Sequence, residues 1–116
     1  MFKLQIEVPA EQVEDLLSMF ALDGHSGYWA SPILLPFHES GLLDTRAVIE
    51  GESTIALVDR PGDVDYVIGK EEIQRGLQRM ATDYPNHLAD IKADNSDAIT
   101  ADVFIQCCVF DKVVYS

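Results

Sequence analysis

The first eight residues alternate, with Phe2, Leu4, Ile6 and Val8 on one side and Lys3, Gln5 and Glu7 on the other, the signature of a half-buried β-strand. The period then changes. Val13, Leu16, Leu17 and Phe20 fall at i, i+3, i+4 and i+7, so the pattern predicts an amphipathic helix over 10–22. Pro9 suits its start, Glu11 and Glu14 favour its N-terminal dipole, and Gly24 stands where a C-terminal cap belongs. The apolar run YWASPILL, residues 28–35, predicts a strand that Pro32 confines to a sheet edge or bends with a bulge. Residues 36–45 read as a loop. Two short strands follow at 46–50 (RAVIE) and 53–59 (STIALVD), then the type II turn RPGD and a strand at 64–68 (VDYVI). Residues 46–68 are therefore expected to form an antiparallel meander.

The last third is helical in period. Ile73, Leu77, Met80, Ala81 and Tyr84 define a helix over 70–83, with Glu71, Arg75 and Arg79 as a charge ladder on its solvent side. Gly76 weakens that helix modestly. Pro85 begins a short helix reaching about Ala93. Asn95, Ser96 and Asp97 are capping residues ahead of a helix over 97–110. That last helix is apolar nearly all round, which marks it as the buried central one. The expected fold is a single α+β domain over residues 1–116. It has an antiparallel sheet of four to five strands, and about three helices (10–22, 70–83 and 97–110) pack on it.

Charge changes the picture more than composition does. The 116 residues are 47% apolar, ordinary for one globular domain, but 20 acids face 8 bases for a net charge of −12. Such a surface repels phosphate backbones, which argues against direct nucleic-acid binding and favours encounter with a basic surface on another protein. No run approaches a membrane span, and the start MFKLQIEVPAEQ lacks the features of a signal peptide. Cys107 and Cys108 are adjacent on a helix, so they read as buried thiols in a reducing cytosol rather than a disulfide or half a metal site.

Six residues stand out as candidates for binding. Asp102 and Gln106 share a face at i, i+4 of the apolar helix. A buried carboxylate needs partners, of which Arg79, Lys112, the Tyr28 hydroxyl and the Trp29 indole N–H are the available ones. The pair is either a structural network or the polar wall of a pocket beside Trp29. In DGHSGYW, residues 23–29, Gly27 permits a tight turn into Tyr28 and Trp29. Strand alternation sends those two rings to opposite faces, one toward the core and one outward, where it could anchor a partner. His87 and Asp90 share a helical face at i, i+3, which suits an Asp-oriented base or a surface ion pair. No catalytic residue, metal or cofactor is assigned. His25 and His38 have no ligand spacing, and Asp59, Asp63 and Asp65 around the RPGD turn lack a calcium-loop register and read as a solvated acidic rim. Phosphate-binding and nucleophile-elbow motifs are absent.

The stretch GLQRMATDYPNHLADIKADNSDAITADVFIQCCVFDKVVYS, residues 76–116, resembles the C-terminal half of a group of small proteins of tailed bacteriophages and prophages. Members of that group share a GL…MA…YP.HF.D…N.DA.TAD.F.Q…FGE.VYG pattern and a glycine turn into GYW. Matching positions run through Gly76, Met80, Tyr84, Pro85, His87, Asp90, Asp97, Thr100, Asp102, Gln106, Phe110 and Tyr115. Asp111 and Ser116 replace two glycines of that pattern, and residues 31–69 match nothing in it. The resemblance implies a phage or prophage origin and a host-cytoplasmic setting, without an activity. The expected function is thus an acidic accessory protein that binds and modulates a host protein bearing a basic surface, an anti-defence inhibitor for instance. The alternatives are a protein that sequesters a signalling nucleotide at Trp29, should Lys70, Arg75 or Arg79 converge there, a structural accessory role, and an enzyme built on His87 and Asp90. Self-association is left open.

Overall fold

The computed structural model describes residues 8–23, 28–34, 44–59 and 64–115. Eight elements follow in chain order: α1 (Ala10–Asp23), β1 (Ala30–Leu34), α2 (Thr45–Ile49), β2 (Ile55–Asp59), β3 (Val64–Ile68), α3 (Lys70–Asp83), α4 (Pro85–Lys92) and α5 (Ala98–Phe110). The class is α+β as expected. The layout is not, because the described residues hold three strands and five helices in place of four to five strands and about three helices.

Two local causes account for the difference. The expected strand at 46–50 is instead taken up by α2 (Thr45–Ile49) and its C-cap Glu50, because the Asp44 carboxylate caps the turn, accepting from the Ala47 N–H at 3.1 Å. Three consecutive apolar residues, Ala47 to Ile49, have no decisive period of their own, and the cap decides it. On the other side of the ledger of elements, the short helix at Pro85 is a packed unit in its own right and buries Leu88 and Ile91. The expected strand over residues 2–8 and the RPGD turn lie outside the described residues.

The sheet is antiparallel in the order β1-β2-β3. Strand β2 pairs with β3 from Ile55 opposite Ile68 to Asp59 opposite Val64. Strand β1 pairs with β2 from Ala30 opposite Asp59, and its register shifts between Pro32 and Leu34. Pro32 thus does both things its chemistry allows, lying on a strand paired on one side among the described residues and beside an irregularity. Ile55, Leu57 and Asp59 point inward along β2, whereas Ala56 and Val58 are half-buried on the opposite face.

Helix α5 is the centre of the molecule. Every residue from Thr100 to Cys108 is buried, and α5 packs against α3, α1, α4 and β3. Asp97 caps its start, accepting from the Thr100 N–H at 2.8 Å. Its other end is capped from α3. Arg75 donates to the Cys108 carbonyl, and Arg79 donates to both Asp111 oxygens at 3.1 and 2.9 Å. The predicted Glu71-Arg75-Arg79 ladder is therefore not what these arginines do. Arg75 satisfies a carbonyl, and Arg79 holds the C-cap carboxylate, at the end of a helix that has no basic residue in its own last turn. Gly76 also has a larger part than a weak helix former. A Cβ there would lie 2.5 Å from Cys108 Sγ and 3.0 Å from its backbone nitrogen, so its bare Cα lets α3 and α5 touch.

Candidate functional site

Asp102 faces the chain entering β1. Its Oδ1 accepts from Trp29 Nε1 at 2.6 Å, and its Oδ2 accepts from the Tyr28 hydroxyl at 2.7 Å and from Gln106 Nε2 at 3.2 Å. Of the four partners the sequence offers Asp102, Tyr28 and Trp29 bond to it, whereas Arg79 turns to Asp83 and Asp111. The carboxylate is 6% exposed, so these donors replace water. Donation to a buried carboxylate holds the Tyr28 proton in place. Desolvation first, then the hydrogen bond and charge of Asp102, push the phenol up to about 12.

Tyr28 and Trp29 divide as expected in burial, at 48% and 0% exposed, but not in direction. They precede β1, where strand alternation does not yet operate, and a turn lets both reach one carboxylate.

Gln106 connects this cluster to the segment after α5. Its Oε1 accepts from the N–H groups of Val114 and Tyr115, both at 2.8 Å, and its Nε2 donates to the Tyr115 carbonyl at 2.8 Å. The Tyr28 hydroxyl also approaches that carbonyl at 3.3 Å, and Tyr84 Oη accepts from the Val113 N–H at 3.0 Å. A single buried amide thus satisfies the backbone of two residues that lie in no helix or strand, as a neighbouring strand would.

The Tyr115 ring completes the arrangement. It stacks on Trp29 at 5.6 Å between centroids with 18° between planes, and it meets Phe110 edge-on at 5.7 Å. Its hydroxyl donates to the Asp59 carboxylate, 3.1 and 3.0 Å from the two oxygens. Burial, then the bond to Asp59, raise the Tyr115 phenol above its ordinary value. Asp59 is 4% exposed, which corrects its reading as part of a solvated acidic rim. The alternation Ile55, Leu57, Asp59 already placed it on the core face. Tyr115 had no such signal, since its role depends on how the chain turns after α5.

His87 and Asp90 sit elsewhere, on α4. His87 Nδ1 lies 3.2 Å from Thr100 Oγ1, and its charge contributes to the lowered carboxyl of Asp97, whose main cause is the Thr100 N–H. Asp90 contributes its carbonyl to the Asn95 N–H. The histidine thus braces the start of α5 instead of pairing with Asp90. His25 and His38 lie outside the described residues. Cys107 and Cys108 are free and wholly buried. Desolvation pushes the Cys107 thiol up to about 12 and the Cys108 thiol well above the ordinary value, so neither is a ready nucleophile.

A separate open groove of about 310 Å³ runs along α3, lined by Arg75, Gln78, Arg79, Thr82 and Asp111. It brings two of the eight basic residues together, away from Trp29. Among the described residues no helix is long and apolar enough to cross a membrane. In comparisons with family models, curated proteins and solved structures, the chain matches none.

Proposed function

We propose that the chain is a phage-encoded acidic accessory protein that binds and modulates a host protein through a basic surface on that partner, acting in the host cytoplasm. An inhibitor of a host defence system is the specific case. The phage setting rests on the resemblance of residues 76–116. The binding mode rests on where the charge sits. Glu11, Glu14 and Glu50 gather around Arg46 where α1 meets α2, and Glu11, Asp15, Glu50 and Glu52 are exposed. Arg46 spends its charge on Glu14, at 3.1 and 3.3 Å, so this face is strongly negative overall. Facing surfaces of opposite sign raise the association rate by orders of magnitude and suppress wrong partners. The groups first suspected of forming a ligand pocket, Asp102 and Gln106, are engaged within the molecule instead.

The test is native mass spectrometry of tagged protein drawn from infected host cytosol. Alongside it runs a variant carrying Glu11→Lys, Glu14→Lys and Glu50→Lys. A stoichiometric basic host protein, retained by the wild type and lost by the variant, supports the reading. Capture unchanged by the reversal overturns the assigned face, and no host protein at all overturns the function.

A second reading draws on the α3 groove, where Arg75 and Arg79 converge beside Asp111 and not at Trp29, so the ligand site first expected around Trp29 is moved to α3. There a small anionic ligand, such as a signalling nucleotide, would face the exposed Arg75 guanidinium. Its sign is a small-molecule mass adduct that Arg75→Glu abolishes.

A further inference from the structure

The contacts made by residues 113–115 are those of a bound peptide. Gln106 and Tyr28 read its backbone, and an aromatic slot takes its side chain. Trp29 stacks on one face of the Tyr115 ring, Phe110 meets it edge-on, and the Asp59 carboxylate accepts its hydroxyl. Main-chain bonds give affinity and a side-chain pocket gives selectivity, the division of labour found where proteins bind extended peptides. Val114, between the two anchored positions, points outward and is 48% exposed. The segment therefore lies across the surface with its tyrosine inserted, and is not threaded through the core.

We propose that this cleft is a peptide-recognition site for an extended Val-Val-Tyr segment, filled in cis by residues 113–115 and open to the same residues of a second copy of this chain. Three observations carry the exchange. The occupant's own sequence fits the cleft, so a second copy necessarily carries a matching ligand. The main chain is tied to α5 through Asp111, a non-glycine residue at φ 64°, a conformation that L residues adopt at a cost and leave when the segment swings out. Lys112, beyond it, is exposed, so no buried side chain has to be withdrawn there when the segment moves. The brace on Asp111 from Arg79 opposes opening and keeps the cis form dominant at low concentration.

The probe is a blocked peptide of residues 111–116, DKVVYS, titrated into full-length Tyr115→Ala with Trp29, the sole tryptophan, as the fluorescent reporter. Expected is saturable binding, about tenfold or more tighter than to the wild type, whose own segment competes at an effective concentration in the millimolar range. A peptide with alanine for tyrosine should not bind. Should Tyr115→Ala fail to fold, Val114→Pro removes one backbone donor to Gln106 and so weakens the hold of the cis segment on the cleft, and the same titration should again give tighter peptide binding than the wild type. A folded variant showing no saturable change at millimolar peptide overturns the site. For the exchange, sedimentation of Arg79→Gln across a concentration series should show more dimer than the wild type, and dimer should vanish in Tyr115→Ala. Monomer alone at every concentration overturns the second copy as occupant. Neither result bears on host-protein capture through the α1–α2 face, so the two proposals fail separately.

Discussion

Replacing Gly76 with alanine sets helix propensity against packing, and the structure says which wins. In an exposed helix the change would stabilise by about 1 kcal/mol, because glycine is the worst ordinary helix former. Here the new methyl would stand 2.5 Å from Cys108 Sγ, 3.0 Å from the Cys108 nitrogen and 3.1 Å from its Cα. Rotating the Sγ away relieves one contact at most, because Cys108 is wholly buried and the other two of the three atoms are backbone. The helices must therefore separate. Overpacking a well-filled core costs roughly 1–3 kcal/mol, and the upper end applies where backbone must move. The net is a loss of about 2 kcal/mol, or a Tm lower by about 6–12 °C for a chain of this size. Thermal unfolding followed by circular dichroism measures it. The double variant with Cys108→Ala is the control: removing Sγ takes away the shortest contact, so Gly76→Ala should cost less in that background than in the wild type. A Tm that rises, or the same cost in both backgrounds, would refute the close approach of α3 and α5.

Other expectations rest on separate features. Asp102→Ala removes the acceptor of the buried Trp29 indole N–H, of Gln106 Nε2 and of the Tyr28 hydroxyl, and should cost about 3 kcal/mol in urea unfolding with a visible shift in Trp29 emission; a loss below about 1 kcal/mol would mean the network is incidental. Both thiols should resist iodoacetamide near neutral pH in the native protein and react together once it is unfolded, read as mass increments; modification of the folded protein would contradict their burial. Stability should fall at both ends of the pH scale. Asp97 and Asp111 are held below the ordinary carboxylate value of 3.8, by the Thr100 N–H and by Arg79 respectively, so their contribution is present above that value and lost as acid titrates them. Tyr28 and Cys107 are raised to about 12 from 10.0 and 9.0, so theirs is intact below pH 9.0 and lost on approach to 12. A pH series of melting curves, with Asp97→Asn and Asp111→Asn flattening the acid limb, checks the assignment.

What could be read from the chain depended on how many residues shared a signal. Helices α1, α3 and α5 were legible because each repeats a 3.6-residue period, or an all-round apolar one, over 13–14 residues. The β2–β3 pair was legible from alternation on each side of a turn motif. The segment at Thr45–Ile49 was not, since Val48 and Ile49 fit a strand as well as a helix and the choice fell to the Asp44 cap. The sheet was overcounted for that reason. At the candidate site, the meeting of Asp102 with Tyr28 and Trp29 was legible as a demand: a carboxylate on a helix apolar nearly all round must find donors, and few were on offer. What the demand could not locate was the other half of the cluster. Tyr115 and Asp59 are 56 residues apart and meet only because the left-handed turn at Asp111 folds the chain back over α5.

That fold-back also bears on why the core contains polar groups at all. An apolar residue at position 102 would leave the Trp29 indole N–H buried without an acceptor, and one at 106 would leave the Val114 and Tyr115 N–H groups without theirs. Neither polar residue is required to fill α5, whose neighbours Val103, Phe104 and Ile105 are buried beside them. Their role is positional. A hydrophobic face accepts any ring that fits, whereas Asp102 accepts the Trp29 indole edge in one orientation and Gln106 accepts one register of the following segment. Shifting that segment by a single residue would move Tyr115 away from both Trp29 and Asp59. The network therefore selects which residue enters the aromatic slot. This is the property a docking cleft needs, whether the occupant belongs to the same molecule or to a second copy.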